Sequence, residues 1–342
     1  MDEAAGRPIG PVLAIDLGGT QIRCALVTPE LEVIRRHAEP TRDEAGVADV
    51  VRRICGVAVA VRDGALADGQ PPAVGVGISS PGPLDPWRGV VVAPPNLAGW
   101  RDVPIAASVE DAVGLPTFLE RDTNVAVMAE WQHGAAAGAR DAVYVTVSTG
   151  IGGGIIVDGR PLMGLDGTAG EIGHITVDLD GPLCGDGKPG HAEAIGSGTA
   201  IAREGRLLLE RGASPALAAI VQDPDTVTAR DVVAAAETGD AACRQILDRA
   251  WQAVGAMCAS LVNVLNPEVI VIGGSIAEHQ PRLLEILRAE IDGRAFALPA
   301  RRVELRRPRF GDDVSLIGLL PIVNRRLDDP AFRRVASSSM EA

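Results

Sequence analysis

Apolar and polar positions follow two different periods along this chain, and glycine-rich turns interrupt the stretches with period two. Residues 12–17 form an apolar run, and after the turn at 18–20 apolar residues alternate with more polar ones over 21–27. The first stretch is typical of a buried strand and the second of a half-buried strand. The pattern therefore predicts a strand, a tight turn and a second strand.

The same plan returns at residue 141, where DAVYVTVSTGIGGGIIVDG predicts another strand, glycine turn and strand. We interpret the two hairpins, in equivalent places of two halves, as the product of a duplication. Strands that alternate with helices predict an α/β fold. Further strand patterns occupy 73–79, 116–120 and 267–273, and helical patterns occupy 44–62, 192–211 and 240–266.

Glycine turns follow three of the predicted strands. Glycine lacks the Cβ that blocks close approach, so its N–H groups can converge on a phosphate, although a plain hairpin turn remains the alternative for Gly18-Gly19. A Walker loop is excluded because the only lysine, Lys188, precedes Pro189. A carboxylate beside the first turn is compatible with polyphosphate if Mg²⁺ lies between them. The candidate nucleotide-binding residues are Asp16, Gly18, Gly19, Thr20, Thr149, Gly150, Gly273, Gly274 and Ser275.

Length and charge limit the class of protein. At 342 residues the chain is expected to form about two domains, and its net charge of −13 argues against a nucleic-acid partner. The acidic start lacks the apolar core of a signal peptide, and no apolar run reaches the roughly 18 residues of a membrane span. A cytoplasmic protein with no membrane partner is expected. The five dispersed cysteines are expected to be reduced thiols.

Seven motifs together resemble the ROK sugar kinases (repressor, open reading frame, kinase), within the fold group of actin, hexokinase and the heat-shock ATPases. They are DLGGT at 16–20, SSPGPLD at 79–85, PPNLAGW at 94–100, RDTNVA at 121–126, STGIGGG at 148–154, GEIGH at 170–174 and VIGGS at 271–275. The resemblance runs from about residue 12 to 325.

The resemblance implies an α/β protein of two actin-like (ribonuclease H-like) domains, with ATP and a sugar bound in the cleft between them. The expected domains are 11–123, completed by a C-terminal helix at about 315–327, and 124–314. Residues 328–342 are expected to form a frayed tail because they offer little to pack.

Asp122 is the candidate general base, at a position where a strand ends and a helix begins. A plain helix N-cap is the alternative interpretation of this aspartate. The resemblance implies that it takes the proton from the sugar hydroxyl and that Asn124 supports it; a carboxylate at a helix N-terminus is ready to accept a proton. Arg121 replaces the asparagine usual in the family, which leaves the preferred hexose open. The implied sugar-binding residues are Gly82, Asn96, Arg121, Asp122, Asn124, Glu171, His174 and Glu193.

The stretch CGDGKPGHAE after GEIGH departs from the family's CxCGxxGCxE, whose three cysteines and the GEIGH histidine hold a structural Zn²⁺. Here Cys184 remains, while Asp186 and His191 replace the other two cysteines. Together with His174 they form a chemically allowed zinc site. It has one soft thiolate ligand where the family has three. A simple turn that needs no metal is the alternative, so structural Zn²⁺ is left open.

The leading hypothesis is an ATP-dependent and Mg²⁺-dependent hexose kinase that converts glucose to glucose 6-phosphate. N-acetylmannosamine, N-acetylglucosamine and fructose are alternative acceptors, and polyphosphate is an alternative donor. A sugar-responsive repressor is a hypothesis of another class, although it requires a DNA-binding domain before the first strand. An ATPase or phosphatase that uses water is a third. A homodimer is expected by analogy alone.

Overall fold

The computed structural model describes residues 9–94 and 97–332, and these divide into two compact units. Unit 1 comprises the described parts of Met1–Gly134, Met163–Ala169 and Phe310–Ala342, and unit 2 comprises Ala135–Leu162 and Gly170–Arg309. The sequence placed the domain boundary at residue 123. In the structure, the helix that begins at Asp122 stays with unit 1 because it packs mainly on the C-terminal helices of that unit.

Unit 1 is built on a five-stranded mixed sheet. Its strand order is β3-β2-β1-β4-β7, with β2 antiparallel to both neighbours and β1, β4 and β7 mutually parallel. A two-stranded ribbon, β5 with β6, follows β4. The elements are β1 (Val12–Leu17), β2 (Gln21–Val27), β3 (Val33–Pro40), α1 (Val47–Ala67), β4 (Val76–Ser80), β5 (Leu84–Asp85), β6 (Val90–Val91), α2 (Ile105–Val113), β7 (Thr117–Arg121) and α3 (Asp122–His133).

Unit 2 repeats this topology. Its sheet has the order β10-β9-β8-β11-β12, with an antiparallel β8–β9 hairpin and parallel β8, β11 and β12. The matching strand order is what a duplication predicts. The elements are β8 (Ala142–Val147), β9 (Ile151–Val157), β10 (Arg160–Pro161), α4 (Ala192–Gly196), α5 (Gly198–Glu210), α6 (Pro215–Ile220), α7 (Ala229–Glu237), α8 (Ala241–Leu265), β11 (Val269–Gly273), α9 (Ser275–Glu278), α10 (Leu283–Arg294), α11 (Ala297–Arg302) and β12 (Glu304–Arg306).

The single helix predicted over 192–211 is wrong, because the chain breaks between α4 and α5. Ser197 lies in extended conformation at the break, and its side chain accepts a hydrogen bond from the amide of Ala200. The next amide, at Gly198, donates to the carbonyl of Ser148 at 2.8 Å. The break therefore aims the start of α5 at the turn between β8 and β9, a contact that periodicity cannot reveal.

The C-terminal segment of unit 1 forms two short helices, α12 (Val314–Ile317) and α13 (Leu319–Arg326). Helix α13 is tied to the start of the chain, because the side chain of Asn324 bonds both the amide and the carbonyl of Gly10. The frayed tail was expected from residue 328. The ring of Phe332 instead packs edge-on to Phe118, at 6.5 Å between centroids, so packed structure continues to residue 332.

Each unit has its own apolar core, in which alternate residues of the sheet pack against helices. The cysteines are free thiols, as the sequence predicted. Burial raises the pKa of Cys24 and of Cys258 to about 12, which keeps both thiols protonated. Within the described residues, no helix combines the length and apolar character needed to cross a membrane.

We predict that Gly77→Ala will weaken the docking of α13 on β4. A Cβ at Gly77 would lie 2.9 Å from the Cβ of Leu319, so the variant should lose about 1–3 kcal/mol of unfolding free energy. Gly56→Ala is the control, since Gly56 lies in α1 with open space around it and should gain about 1 kcal/mol. Urea unfolding measures both changes, and equal effects would contradict the tight contact.

Candidate active site

The parallel register of unit 1 brings the chemistry-bearing residues to one edge of its sheet. Asp16 in β1 lies opposite Ser79 in β4, and Ser79 lies opposite Glu120 in β7. The strands β1, β4 and β7 therefore end side by side. The turn at 18–20, Gly82 and Asp122 all follow these carboxyl ends, where open α/β sheets bind their ligands.

Asp122 is the first residue of α3, and its side chain is exposed while Arg121, Thr123 and Asn124 are buried. The N-cap position belongs to Arg121, so the N-cap interpretation of Asp122 is wrong by one residue. One carboxylate oxygen of Asp122 accepts a hydrogen bond from the amide of Thr123 at 2.7 Å. The helix start favours a negative charge here, and the exposed carboxylate can reach a ligand proton.

Arg121 lies beneath this edge, with 4% of its surface exposed. Its guanidinium donates to the carbonyl of Ala169, and also to that of Thr168 at 3.4 Å. A Cβ at Gly82 would lie 3.2 Å from the Arg121 side chain, so Gly82 lies directly over it. These contacts hold the segment 163–169 to unit 1. A direct contact of Arg121 with a sugar stays a prediction.

Sequence reasoning missed a buried ion pair behind Asp122. Glu120, 2% exposed, pairs with the guanidinium of Arg326, which is 7% exposed and lies on α13. The other carboxylate oxygen of Glu120 accepts from the side-chain amide of Asn124 at 2.9 Å. The available signal was the charged Glu120 at the end of the apolar run TFLE, which suggests a buried charge that needs a partner. That partner, Arg326, lies 206 positions away along the chain, so the sequence could not identify it.

The first glycine turn joins β1 to β2, and Gly18 closes it by donating its amide to the carbonyl of Gln21 at 2.9 Å. Asp16 accepts two hydrogen bonds from Arg23, at 2.7 and 3.0 Å, so its carboxylate already has a cationic partner. The sequence did not anticipate this pair, although Asp16 and Arg23 are register partners in the hairpin. A Mg²⁺ ion near Asp16 stays a prediction, and it would compete with Arg23.

The second and third glycine turns meet at the equivalent edge of unit 2. Strand β8 pairs in parallel with β11, and the hydroxyls of Ser148 and Ser275 are 2.9 Å apart. Gly274 has a φ of 100°, and a Cβ there would lie 2.5 Å from the carbonyl oxygen of Val147. Only glycine fits this crossing of two backbones. Thr149, Gly150, Gly273 and Ser275 are thereby gathered at one place.

Glu193, on the short helix α4, reaches this edge of unit 2. One of its carboxylate oxygens accepts from the amide of Ile151 at 2.7 Å, directly after the turn at 149–150. The hydroxyl of Thr199 donates to the carbonyl of Thr149 at 3.0 Å, a contact that the sequence did not indicate. Glu193 thus stabilises the second glycine turn through this hydrogen bond. Its role as a sugar ligand stays a prediction.

The motif GEIGH forms a short 3₁₀ turn that lies on β9. Gly153 in β9 leaves room for the Ile172 side chain, and Gly173 lies against the carbonyl of Ile151. These contacts place Glu171 and His174 at the surface of unit 2, with 3.7 Å between the Glu171 carboxylate and the His174 Nδ1. The structural interpretation of GEIGH as a packed turn and its predicted role in sugar binding are compatible.

The four candidate zinc ligands come together. His174, Cys184, Asp186 and His191 each offer one ligand atom, and these atoms lie within 4.8 Å of one another. A tetrahedral zinc site has ligand atoms about 3.3–3.8 Å apart, so closure needs shifts of about 1 Å. The set of two imidazoles, a thiol and a carboxylate fits a divalent cation.

The polar surroundings of this cluster also fit a metal. The Nδ1 atoms of His174 and His191 are buried, and neither makes a hydrogen bond within the described part of the chain. Burial raises the pKa of the Cys184 thiol, so without a cation this group stays protonated. A bound divalent ion would favour the thiolate and occupy the imidazole nitrogens.

The predicted site residues therefore form one group in each unit. In unit 1 the group lies at one edge of the sheet. In unit 2 the second and third glycine turns lie with Glu193 at the equivalent edge, and the GEIGH turn lies on β9. The prediction for Asn96 lies outside the described residues. Unit 1 holds Asp16, Gly18, Gly19, Thr20, Gly82, Arg121, Asp122 and Asn124, and unit 2 holds Thr149, Gly150, Glu171, His174, Glu193, Gly273, Gly274 and Ser275.

Comparison with known proteins decides the family, since residues 12–326 match the ROK family. The chain belongs to the ROK family. It is 34% identical over 309 residues to a glucokinase of Halalkalibacterium halodurans, covering 90% of this chain and 92% of that protein. It is also 34% identical over 274 residues to an N-acetylmannosamine kinase of Citrobacter koseri, covering 80% of this chain and 86% of that protein.

A solved structure agrees with this membership. The ROK family glucokinase from Streptomyces griseus, in complex with glucose and AMPPNP, superposes with a TM-score of 0.75 at 28% identity, covering 92% of this ROK protein and 99% of that chain. The predicted α/β class with two actin-like domains is confirmed by this match and by the two five-stranded mixed sheets.

We predict that Gly274→Ala will destabilise this ROK protein more than Gly239→Ala. Both glycines have a φ near 100°, but only Gly274 has backbone atoms where a Cβ would lie. Strain alone should cost about 1–2 kcal/mol at Gly239, and the added clash should bring Gly274→Ala to about 3–5 kcal/mol. Urea unfolding of the two variants provides the comparison. Equal losses would show that the β8–β11 crossing is looser than described.

Proposed function

We propose that this ROK protein is an ATP-dependent sugar kinase, in which Asp122 accepts the proton of the attacking sugar hydroxyl. The observation that carries the proposal is the placement of Asp122 in unit 1. Its exposed carboxylate lies at the same sheet edge as the glycine turn at 18–20. A proton acceptor and a candidate phosphate cradle on one edge are what phosphoryl transfer to a hydroxyl requires.

The protein's contribution to such a transfer is positioning and charge. Asp122 would orient the hydroxyl and take its proton as the new O–P bond forms, while turn amides stabilise the phosphate oxygens. Mg²⁺, bound with the nucleotide, would neutralise part of the phosphate charge. The implied sugar contacts of Gly82, Asn124, Glu171, His174 and Glu193, and of Asn96, remain part of the proposal.

Glucose is the acceptor that we propose, with phosphorylation at O6. The names of two relatives support a choice between two sugars: glucokinase for the Halalkalibacterium halodurans protein and N-acetylmannosamine kinase for the Citrobacter koseri protein. The glucose and AMPPNP in the Streptomyces griseus complex support glucose and ATP. Binding of a sugar without turnover would instead favour a sugar-sensing regulator.

The test of this proposal is phosphorylation of glucose, mannose, fructose, N-acetylglucosamine and N-acetylmannosamine, with ATP and with polyphosphate. Asp122→Asn should lower kcat by about 100-fold to 10,000-fold because the amide cannot take the proton. Asp49→Asn is the matched control, since Asp49 also lies in the first turn of a unit 1 helix and should leave kcat unchanged.

Two outcomes would contradict the proposal. Folded wild-type protein that phosphorylates none of these sugars would exclude the sugar kinase. Full kcat in Asp122→Asn would keep the kinase but remove Asp122 as its base. Retained folding of both variants is checked by thermal unfolding, so that a loss of activity reports chemistry.

We also infer that His174, Cys184, Asp186 and His191 hold a structural Zn²⁺. The support is the approach of the four ligand atoms and the two buried imidazole nitrogens. When bound, the ion would supply a crosslink between the GEIGH turn and the loop at 184–191. The polypeptide by itself already brings these segments together, through the bridge between Thr176 and His191 and the edge-on contact of the His174 and His191 rings at 5.1 Å between centroids, and the ion would add bonds to four side chains.

Metal analysis should find about one zinc per chain in wild-type protein, and Cys184→Ser should lower this content together with the melting temperature. Cys55→Ser is the matched control, because Cys55 is half-buried on α1, outside the cluster. Zinc-free wild-type protein with an unchanged melting temperature after chelation would contradict the structural metal.

A homodimer stays a prediction, which light scattering can test.

A further inference from the structure

Glu120 is held by contacts on both sides of its carboxylate. One oxygen, Oε1, accepts from the amide of Arg121 at 2.8 Å and from Nδ2 of Asn124 at 2.9 Å. The other, Oε2, pairs with Arg326, whose second terminal nitrogen donates to the carbonyl of Leu119 at 2.9 Å. A buried ion pair is tolerated only when its remaining hydrogen-bonding positions are filled in this way.

The carboxylate decides which way the Asn124 amide faces. A carboxylate accepts hydrogen bonds and cannot donate, so it selects Nδ2 of Asn124 and turns Oδ1 away. Oδ1 then lies 3.5 Å from a terminal nitrogen of Arg121. Asn124, 1% exposed, therefore has a fixed orientation two residues from Asp122.

Arg121 connects the oriented Asn124 amide to a further segment of unit 1. The nitrogen that faces Asn124 also donates to the carbonyl of Ala169, within the segment 163–169 that belongs to unit 1. Within that segment the amide of Ala169 donates to the carbonyl of Met163 at 3.1 Å. The chain of contacts thus runs from α13 through Glu120, Asn124 and Arg121 to residue 169.

We propose that Glu120 is a positioning residue for sugar binding, which orients the Asn124 amide and the Arg121 guanidinium around Asp122. The consequence for sugar binding rests on the kinase function proposed above, whereas the consequence for local order does not. Glu120 has no direct contact with the sugar in this scheme. It acts by presenting an acceptor-only group, anchored by Arg326, to Asn124.

Glu120→Gln tests this because glutamine has nearly the same shape but carries an NH₂ group. If that NH₂ faces Asn124, two donors meet; if it faces Arg326, a donor meets a buried cation. The Arg326 cation draws the glutamine oxygen to its own side, so the NH₂ group turns towards Asn124 and displaces its amide. The KM for the sugar should rise about 10-fold or more, while the KM for ATP stays within about 2-fold.

Two further variants separate positioning from stability. Arg326→Met removes the cation but leaves the Oε1 contacts, so the melting temperature should fall while the sugar KM stays near the wild-type value. The double variant Glu120→Leu/Arg326→Met buries no charge and offers Asn124 no acceptor, so its melting temperature should exceed that of Glu120→Gln while the sugar KM stays high. Recovery of KM together with melting temperature would overturn the proposal.

Asn324→Ala is the matched control on the same helix. It removes the hydrogen bonds that Asn324 makes with Gly10 and with the carbonyl of Leu320. Gly10 precedes the start of β1, whereas Asp122 follows the carboxyl end of β7. The melting temperature should fall without a change in the sugar KM. A KM rise equal to that of Glu120→Gln would show that loosening α13 alone explains the effect, and would overturn the positioning role.

A second readout needs no substrate. Hydrogen–deuterium exchange of ligand-free protein should be faster over residues 163–169 in Glu120→Gln than in wild type, and unchanged there in Asn324→Ala. If wild-type protein phosphorylates no sugar, the kinase proposal fails and this exchange experiment still decides the positioning inference. Equal exchange in wild type and Glu120→Gln would overturn it.

Discussion

The parallel pairing of β4 with β1 and β7 is the constraint on which the candidate site of unit 1 depends. Parallel hydrogen bonding fixes Asp16, Ser79 and Glu120 side by side, so every turn that leaves these strands starts at the same edge. Because side chains alternate along a strand, a slip of β7 by one residue would turn Glu120 to the other face of the sheet, away from Arg326 and Asn124. The strand register thus determines which residues lie at the edge of the sheet where the candidate site forms.

Unit 2 applies the same constraint to different residues. Its sheet has the strand order of unit 1, and the pairing of β8 with β11 brings two glycine turns together where unit 1 has one turn and a helix start. The absence of a Cβ at Gly274 makes the close crossing possible. One topology, used twice, therefore supplies an edge with the exposed Asp122 in unit 1 and a glycine-rich edge in unit 2.

Buried charge is the second organising feature of unit 1. Glu120 and Arg326 are costly to desolvate, and the pair persists because each partner also bonds backbone or amide groups. The pair joins the final helix of the chain to the strand end beside Asp122. Assembly of the candidate site in unit 1 is therefore inseparable from docking of α13, which completes the unit from the far end of the sequence.

The sequence by itself determined the three glycine turns, the family, the strands that border these turns, and the strands β4 and β7, because period-two patterns and local motifs involve neighbouring residues. It did not predict β3, β12 or the two-residue strands β5, β6 and β10. It also indicated Asp122, since a strand-to-helix junction is a local feature. Only the tertiary structure decided that Asp16 pairs with Arg23, that α4 and α5 separate at Ser197, and that Glu120 meets Arg326. These contacts join residues whose proximity depends on strand register and helix docking, which no local pattern encodes.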